Sequence, residues 1–270
     1  DGYRTLAGML RDAGYATGMF GKWHLGSDPA FFPGNYGFDY SYGCLAGATG
    51  MYDHRYRLNT PYAKTWHRNE EYIEEKGHAT DLFAREAINW IENNKDNPFF
   101  LYVPHSMVHV PLYASEAFEG KSGAGLFGDV VMELDWSVGR ILDTLRKHDL
   151  DGNTMVIFTA DHGDMRGEHG RQNKGVPLEA SAKVPFVIRH PKSIAAGRQI
   201  DQVLNTADFH SDLQNRVASQ GRLNAFDSIQ SENFIPAAVV VSAEDITTAG
   251  GSTHQIVLQY HYHAGIDSTS

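Results

Sequence analysis

NTMVIFTADHGDMRGEHGRQNKG, residues 153 to 175, joins an almost wholly apolar run to a segment crowded with charge. The run TMVIFTA, turned in by Asp151-Gly152, reads as a strand buried on both faces of a parallel sheet, because a strand with one wet face would alternate. Asp161, His162 and Asp164 then fall just past its carboxyl end. In open α/β sheets, ligand sites lie in the loops that leave strands at that edge. An aspartate beside a histidine offers one oxygen and one nitrogen donor, a combination suited to a divalent cation.

Working outward, the chain alternates helical and strand patterns. Thr5 caps a helix whose Leu6, Met9 and Leu10 share a face, and Gly14 ends it before a strand over residues 16 to 20. Residues 26 to 76 read as loop-rich and aromatic. Helical spacing returns over 79 to 93 and again from about 128 to 147, and PFFLYV (98 to 103) and VPFVIRHP (184 to 191) read as further buried strands. Strands separated by helices predict an α/β fold, a mostly parallel sheet sandwiched by helices. Composition agrees with a globular chain: 270 residues, 41% hydrophobic and 21% charged. The net charge of −10 argues against a general nucleic-acid surface, and no apolar run is long enough to span a bilayer. The single cysteine, Cys44, excludes an internal disulfide framework.

Two other strand ends carry suggestive side chains. GKWHLG, 21 to 26, sets Lys22 and His24 around Trp23, and PHSMVHVPL, 104 to 112, presents His105 and His109, read either as one proton donor or as two ordinary surface histidines. With Lys174 in the loop after the carboxylate run, these residues would line one side of the sheet. A cation-lined pocket beside a metal suits a tetrahedral oxyanion, sulfate or phosphate.

TLAGMLRDAGYATGMFGKWHLG, PFFLYVPHSMVHVPL and VIFTADHGDMRGEHGRQNKGVPLEASAKVPFVIRHP, in that order, resemble successive landmarks of the sulfatase family within the alkaline phosphatase superfamily. The resemblance covers most of residues 1 to 209. It implies that Lys22 and Lys174 bind the sulfate group, that His24 lies beside the nucleophile, that His109 helps protonate the leaving oxygen, and that Asp161 and His162 are metal ligands. His105 misses the family position and is read as structural. The implied cation is Ca2+, with Mg2+ or Mn2+ as alternatives. The implied substrate is a small-molecule or carbohydrate sulfate ester, and a periplasmic or secreted location goes with the family.

Departures from the family pattern are equally informative. Family members carry a pair of aspartate ligands and a Cys-x-Pro-Ser-Arg-like motif, matured by a formylglycine-generating enzyme, upstream of the first landmark. Neither is present, and Cys44 in YGCLAGATG lacks the flanking proline and arginine. Cys44 therefore reads as a small buried or loop residue. The expectation is an amino-terminally incomplete catalytic domain over 1 to 210, inactive by itself, followed by a divergent segment over 211 to 270. In that segment IPAAVVVSAED and HQIVLQYHYH read as strands, and His254, His261 and His263 read as a solvated edge rather than a metal site. Two other functions fit the residues: phosphonate monoester or phosphodiester hydrolysis, and a non-catalytic anion-binding remnant.

Overall fold

The computed structural model describes residues 4–56, 63–197 and 199, and the backbone of 239–244 and 253–255. The strands are β1 (Ala16–Lys22), β2 (Tyr40–Cys44), β3 (Arg55–Tyr56), β4 (Ala63–Lys64), β5 (Trp66–Arg68), β6 (Glu71–Tyr72), β7 (Phe99–Tyr102), β8 (Met155–Phe158), β9 (Val187–Arg189), β10 (Val239–Glu244) and β11 (Thr253–Gln255). The helices are α1 (Leu6–Asp12), α2 (Ala79–Asn94), α3 (Gly125–Lys147) and α4 (Glu179–Ala182). Apart from the β3–β4 pair, these strands form one sheet in the order β6-β5-β2-β1-β7-β10-β8-β9, with β11 paired to β10.

The α/β architecture is as the alternation predicts, but the sheet is mixed rather than mostly parallel, and β8, expected in a parallel sheet, has antiparallel neighbours on both sides. β1 pairs in parallel with β2 and β7, while β10 lies antiparallel between β7 and β8. β7 and β8 consequently point the same way as β1 and β2. Four strands thus end at one edge, with β5 and β9 antiparallel at the flanks. Of the two strands expected beyond residue 210, β10 falls within the first stretch, and β11 overlaps only the start of the second. His261 and His263 lie outside the described residues, as does most of 201 to 270.

Local chemistry explains the elements. Thr5 Oγ1 accepts from the Gly8 amide at 3.0 Å at the start of α1, and Gly14 leaves the helix with φ 92°. α2 turns Leu82, Phe83, Ala87 and Ile91 inward, and α3 buries Leu134, Val138, Ile141 and Leu145, so each helix presents one apolar stripe to the core. The structure corrects the reading of residues 26 to 76 as mainly loop. β2, with burial continuous over Ser41 to Cys44, sits next to β1 near the sheet centre. Its five residues, YSYGC, are too short and too polar to announce a buried strand. Among the described residues, no helix is long and apolar enough to cross a membrane.

Candidate active site

Close packing of three strand ends builds the site. Gly21 and Gly43 have φ of 149° and 136°. A Cβ at Gly21 would lie 2.0 Å from the Pro104 carbonyl oxygen, and one at Gly43 would lie 2.1 Å from the Gly21 oxygen. Glycine is needed at both places because backbone occupies the space that a side chain would take. Tight backbone bonds follow: the Lys22 amide donates to Pro104 at 2.7 Å, Trp23 to Cys44 at 2.8 Å, and His24 to Leu45 at 3.0 Å. Lys22, the last residue of β1, and the loop carrying His24 are therefore held against the loops that follow β2 and β7.

The side chains gather around Asp161. Burial lowers the Lys22 pKa, opposed by Cys44 and Asp161, with Lys174 adding to the lowering. His24 is lowered first by burial, then by Lys22, Lys174 and His109, with Asp161 acting the other way. The His109 pKa is also lowered, chiefly by burial, with Lys22 and Lys174 contributing, while its contact with the Val110 carbonyl and Asp161 oppose. Burial first, and the two lysines second, disfavour the charged form of both imidazoles. His109 Nδ1 lies 2.7 Å from the Val110 oxygen, which makes it the protonated nitrogen and leaves Nε2 with the lone pair.

The loop after β8 supplies the remaining groups. A Cβ at Gly163 would lie 2.0 Å from the Ala180 oxygen, and the Gly163 amide donates to Ser181 at 2.9 Å, so this loop is fastened to α4. The Gly175 amide donates to Ser181 Oγ at 3.1 Å and returns the chain to the same helix. That return brings Lys174 Nζ within 2.8 Å of His162 Nε2. His162 Nδ1 contacts the Gly163 oxygen at 2.8 Å, which leaves Nε2 as acceptor, and Asp161 Oδ2 is 3.2 Å from that nitrogen. Asp161 Oδ2 and Lys174 Nζ both lie against His162 Nε2, so the lysine ammonium occupies the lone pair that a cation would take. Among the described residues no group of three or more histidine, cysteine or carboxylate side chains is arranged to hold a metal.

All six sequence-predicted residues, Lys22, His24, His109, Asp161, His162 and Lys174, lie at this one edge. His105 does not: its ring packs edge-on to Phe83, with centroids 6.3 Å apart, and burial pushes its pKa down to about 4. Cys44 is fully buried at the end of β2, and burial pushes its thiol up to about 12, far from a reactive thiolate. Three participants were not legible beforehand. Gly47 packs under His24, for a Cβ there would lie 2.0 Å from His24 Nε2. The Tyr102 hydroxyl is held protonated by burial and by Asp161. Arg166 donates to the Val108 carbonyl at 2.9 Å and covers the Phe127 ring at 3.9 Å, tying the Asp161 loop to the His109 loop. No motif marks them; only the packing of distant loops does.

Comparison with known proteins places the chain in a family and agrees with the fold. The family model described as Sulfatase matches residues 1–217. N-acetylgalactosamine-6-sulfatase of Sus scrofa is 35% identical over 223 residues, covering 76% of this chain and 43% of that protein. N-acetylgalactosamine-6-O-sulfatase of Bacteroides thetaiotaomicron is 30% identical, covering 72% of this chain and 53% of its own length. The chain thus spans about half the length of these curated relatives. Among solved structures, Ps i-CgsB superposes with a TM-score of 0.68 at 22% identity, over 89% of this chain and 67% of that one. A structure in complex with its substrate D-glucosamine-2-N,6-O-disulfate gives 0.65 at 20% identity, over 94% and 71%. At these identities the structural likeness concerns the fold.

Proposed function

This chain belongs to the sulfatase family, and on that premise we propose that its carboxyl-edge pocket binds the sulfate group of a carbohydrate or other small-molecule sulfate ester and assists its hydrolysis. The observation that carries the reading is the gathering of Lys22, Lys174, His24 and His109 around Asp161. Lys22 and Lys174 hold the sulfate oxygens and stabilise charge that grows on them during displacement. His24 stands beside the attacked face. As the ester S–O bond breaks, the departing oxygen gathers charge, and His109, protonated once the anion offsets the two lysines, donates the proton that it needs.

Asp161 and His162 would hold a divalent cation, calcium by family resemblance and Mg2+ or Mn2+ as alternatives. The Nδ1 contact to Gly163 fixes the His162 tautomer for that task. When bound, the cation would neutralise sulfate charge. Two donors are few for an ion that takes six to eight, so this chain alone should bind calcium weakly.

The attacking oxygen is proposed to come from outside this sequence, as a formylglycine made by a maturation enzyme, because buried Cys44 has neither the motif nor the accessibility. Turnover by this chain alone is therefore expected to be absent. Titration with inorganic sulfate by calorimetry tests the pocket. Lys22→Met and Lys174→Met should each weaken binding at least about tenfold, the worth of one charge-assisted contact. Undiminished binding in both variants, or multiple turnover of an aryl sulfate that Cys44→Ala abolishes, would overturn the assignment.

A further inference from the structure

The loop that carries Asp161 reaches the proton donor through a side chain that sulfate binding and metal ligation leave unused. Arg166 has φ 43°, in the left-handed region, and its amide donates to Asp164 Oδ1 at 3.1 Å. Both of its neighbours are pinned: the amide of buried Met165 donates to the Asn173 oxygen at 2.9 Å, and the Gly167 amide donates to the Arg171 oxygen at 2.7 Å. From that base Arg166 Nη2 donates to the Val108 oxygen at 2.9 Å, and the guanidinium lies over the Phe127 ring of α3, 3.9 Å from its centre. The Val108 carbonyl belongs to the same peptide group as the His109 amide, which donates to the Ser106 oxygen at 3.1 Å. One rigid plane is thus gripped at both ends, and the His109 side chain starts from it. An arginine laid on an aromatic face keeps its planar fork oriented, so little freedom is lost in making the bond.

We infer that Arg166 is a positioning residue for His109, holding the peptide from which the imidazole is aimed. The inference rests on the reading of the pocket as a sulfate site with His109 as its proton donor. The contact between His109 Nδ1 and the Val110 oxygen fixes the tautomer, but it joins neighbouring residues and travels with their backbone. Packing holds this stretch weakly, because His109 is only half-buried and Val110 is exposed. Its place relative to the rest of the pocket comes from two outside anchors. The Lys22 amide fixes the Pro104 carbonyl at 2.7 Å, and Arg166 fixes the Val108 carbonyl. The first anchor is itself one of the sulfate-holding lysines, and the second sits on the loop that also carries Lys174. His109 is thereby registered against both lysines. A proton donor must stay within hydrogen-bond reach of the oxygen it serves, so a drift of about 1 Å removes its contribution.

Calorimetric titration of the full chain with inorganic sulfate, repeated from pH 8 down to pH 5.5, tests this. Affinity should rise on acidification as His109 becomes a charged donor to the anion. Arg166→Met keeps apolar contact with Phe127 but cannot donate, and should cut that rise about tenfold, the worth of one charge-assisted hydrogen bond. Arg166→Lys, which keeps a donor without the planar fork, should fall between the two. Both variants should fold, since Arg166 is exposed. Lys22, His24, Asp161 and Lys174, the charged and titratable groups that face His109, are the same in all three proteins, so their own titration adds equally to each. Loss of a nearby cation alone would weaken binding equally at every pH. Such a uniform loss, or a rise untouched in Arg166→Met, would overturn the positioning role while leaving the sulfate pocket standing. Failure of the unaltered chain to bind sulfate at any pH would overturn the pocket and the positioning role with it.

Discussion

Replacing Gly47 with alanine tests whether His24 is held in place by the loop that follows β2. A Cβ there would lie 2.0 Å from His24 Nε2, 2.5 Å from Cδ2 and 2.6 Å from Cε1. Carbon and nitrogen pack no closer than ~3.5 Å, so the ring must retreat by about 1.5 Å. Gly47 is not among the glycines at positive φ, and His24 is an exposed side chain, so the retreat should cost little stability, within about 1 kcal/mol. Binding should suffer more. A shift of about 1.5 Å stretches a ~2.9 Å hydrogen bond beyond any useful length, a loss of about 1–2 kcal/mol or about five- to thirtyfold in sulfate affinity. Calorimetry with inorganic sulfate reads the affinity and urea unfolding reads the stability. Gly139→Ala is the control: it lies inside α3 with nothing within 4 Å of an added Cβ, and should be more stable by ~0.5–1 kcal/mol with sulfate affinity unaltered. Unaltered sulfate affinity in Gly47→Ala would refute the claim that His24 contacts the anion.

Two further outcomes follow from the histidines. His67 is fully buried, contacts the Gly43 oxygen at 2.9 Å, and has its pKa pushed down to about 4 by burial. Its neutral form is favoured in the fold, so the stability it contributes is complete above the unfolded value near 6.5 and is lost as pH falls toward 4. This amounts to about 2 kcal/mol by pH 5. Urea unfolding at pH 7 and pH 5 should show that acid loss reduced in His67→Gln; an identical loss in both proteins would count against it. His109, lowered by burial and by Lys22 and Lys174, should gain a proton when sulfate arrives, so sulfate affinity should rise as pH falls through the histidine range. His109→Gln should flatten that rise, and a pH profile untouched by the substitution would remove His109 from the pocket.

Some of this was legible from residues alone. The continuous apolar run before Asp161 and the one-sided spacing of α2 and α3 announce themselves because burial on both faces, or on one stripe, leaves a periodic trace. β2 left no such trace. Its place beside β1 depends on Gly43 admitting the Gly21 backbone where a side chain would collide, a condition set by a partner about twenty residues away. The order of motifs likewise pointed to Lys22, His24, His109, Asp161, His162 and Lys174, since residues just past apolar strands must surface at loop ends.

Gly47, Tyr102 and Arg166 carried no sequence signal, because each acquires meaning only from an atom on another loop. By itself the chain determined which segments are strands and helices with strong apolar patterns, and which polar residues follow them. Whether those residues meet depended on strand direction and pairing: β1, β2, β7 and β8 point one way and deliver their loops to a common edge. Only tertiary structure decides that, since side-chain periodicity records whether a strand is buried but not which neighbour it pairs with or which edge its end will reach.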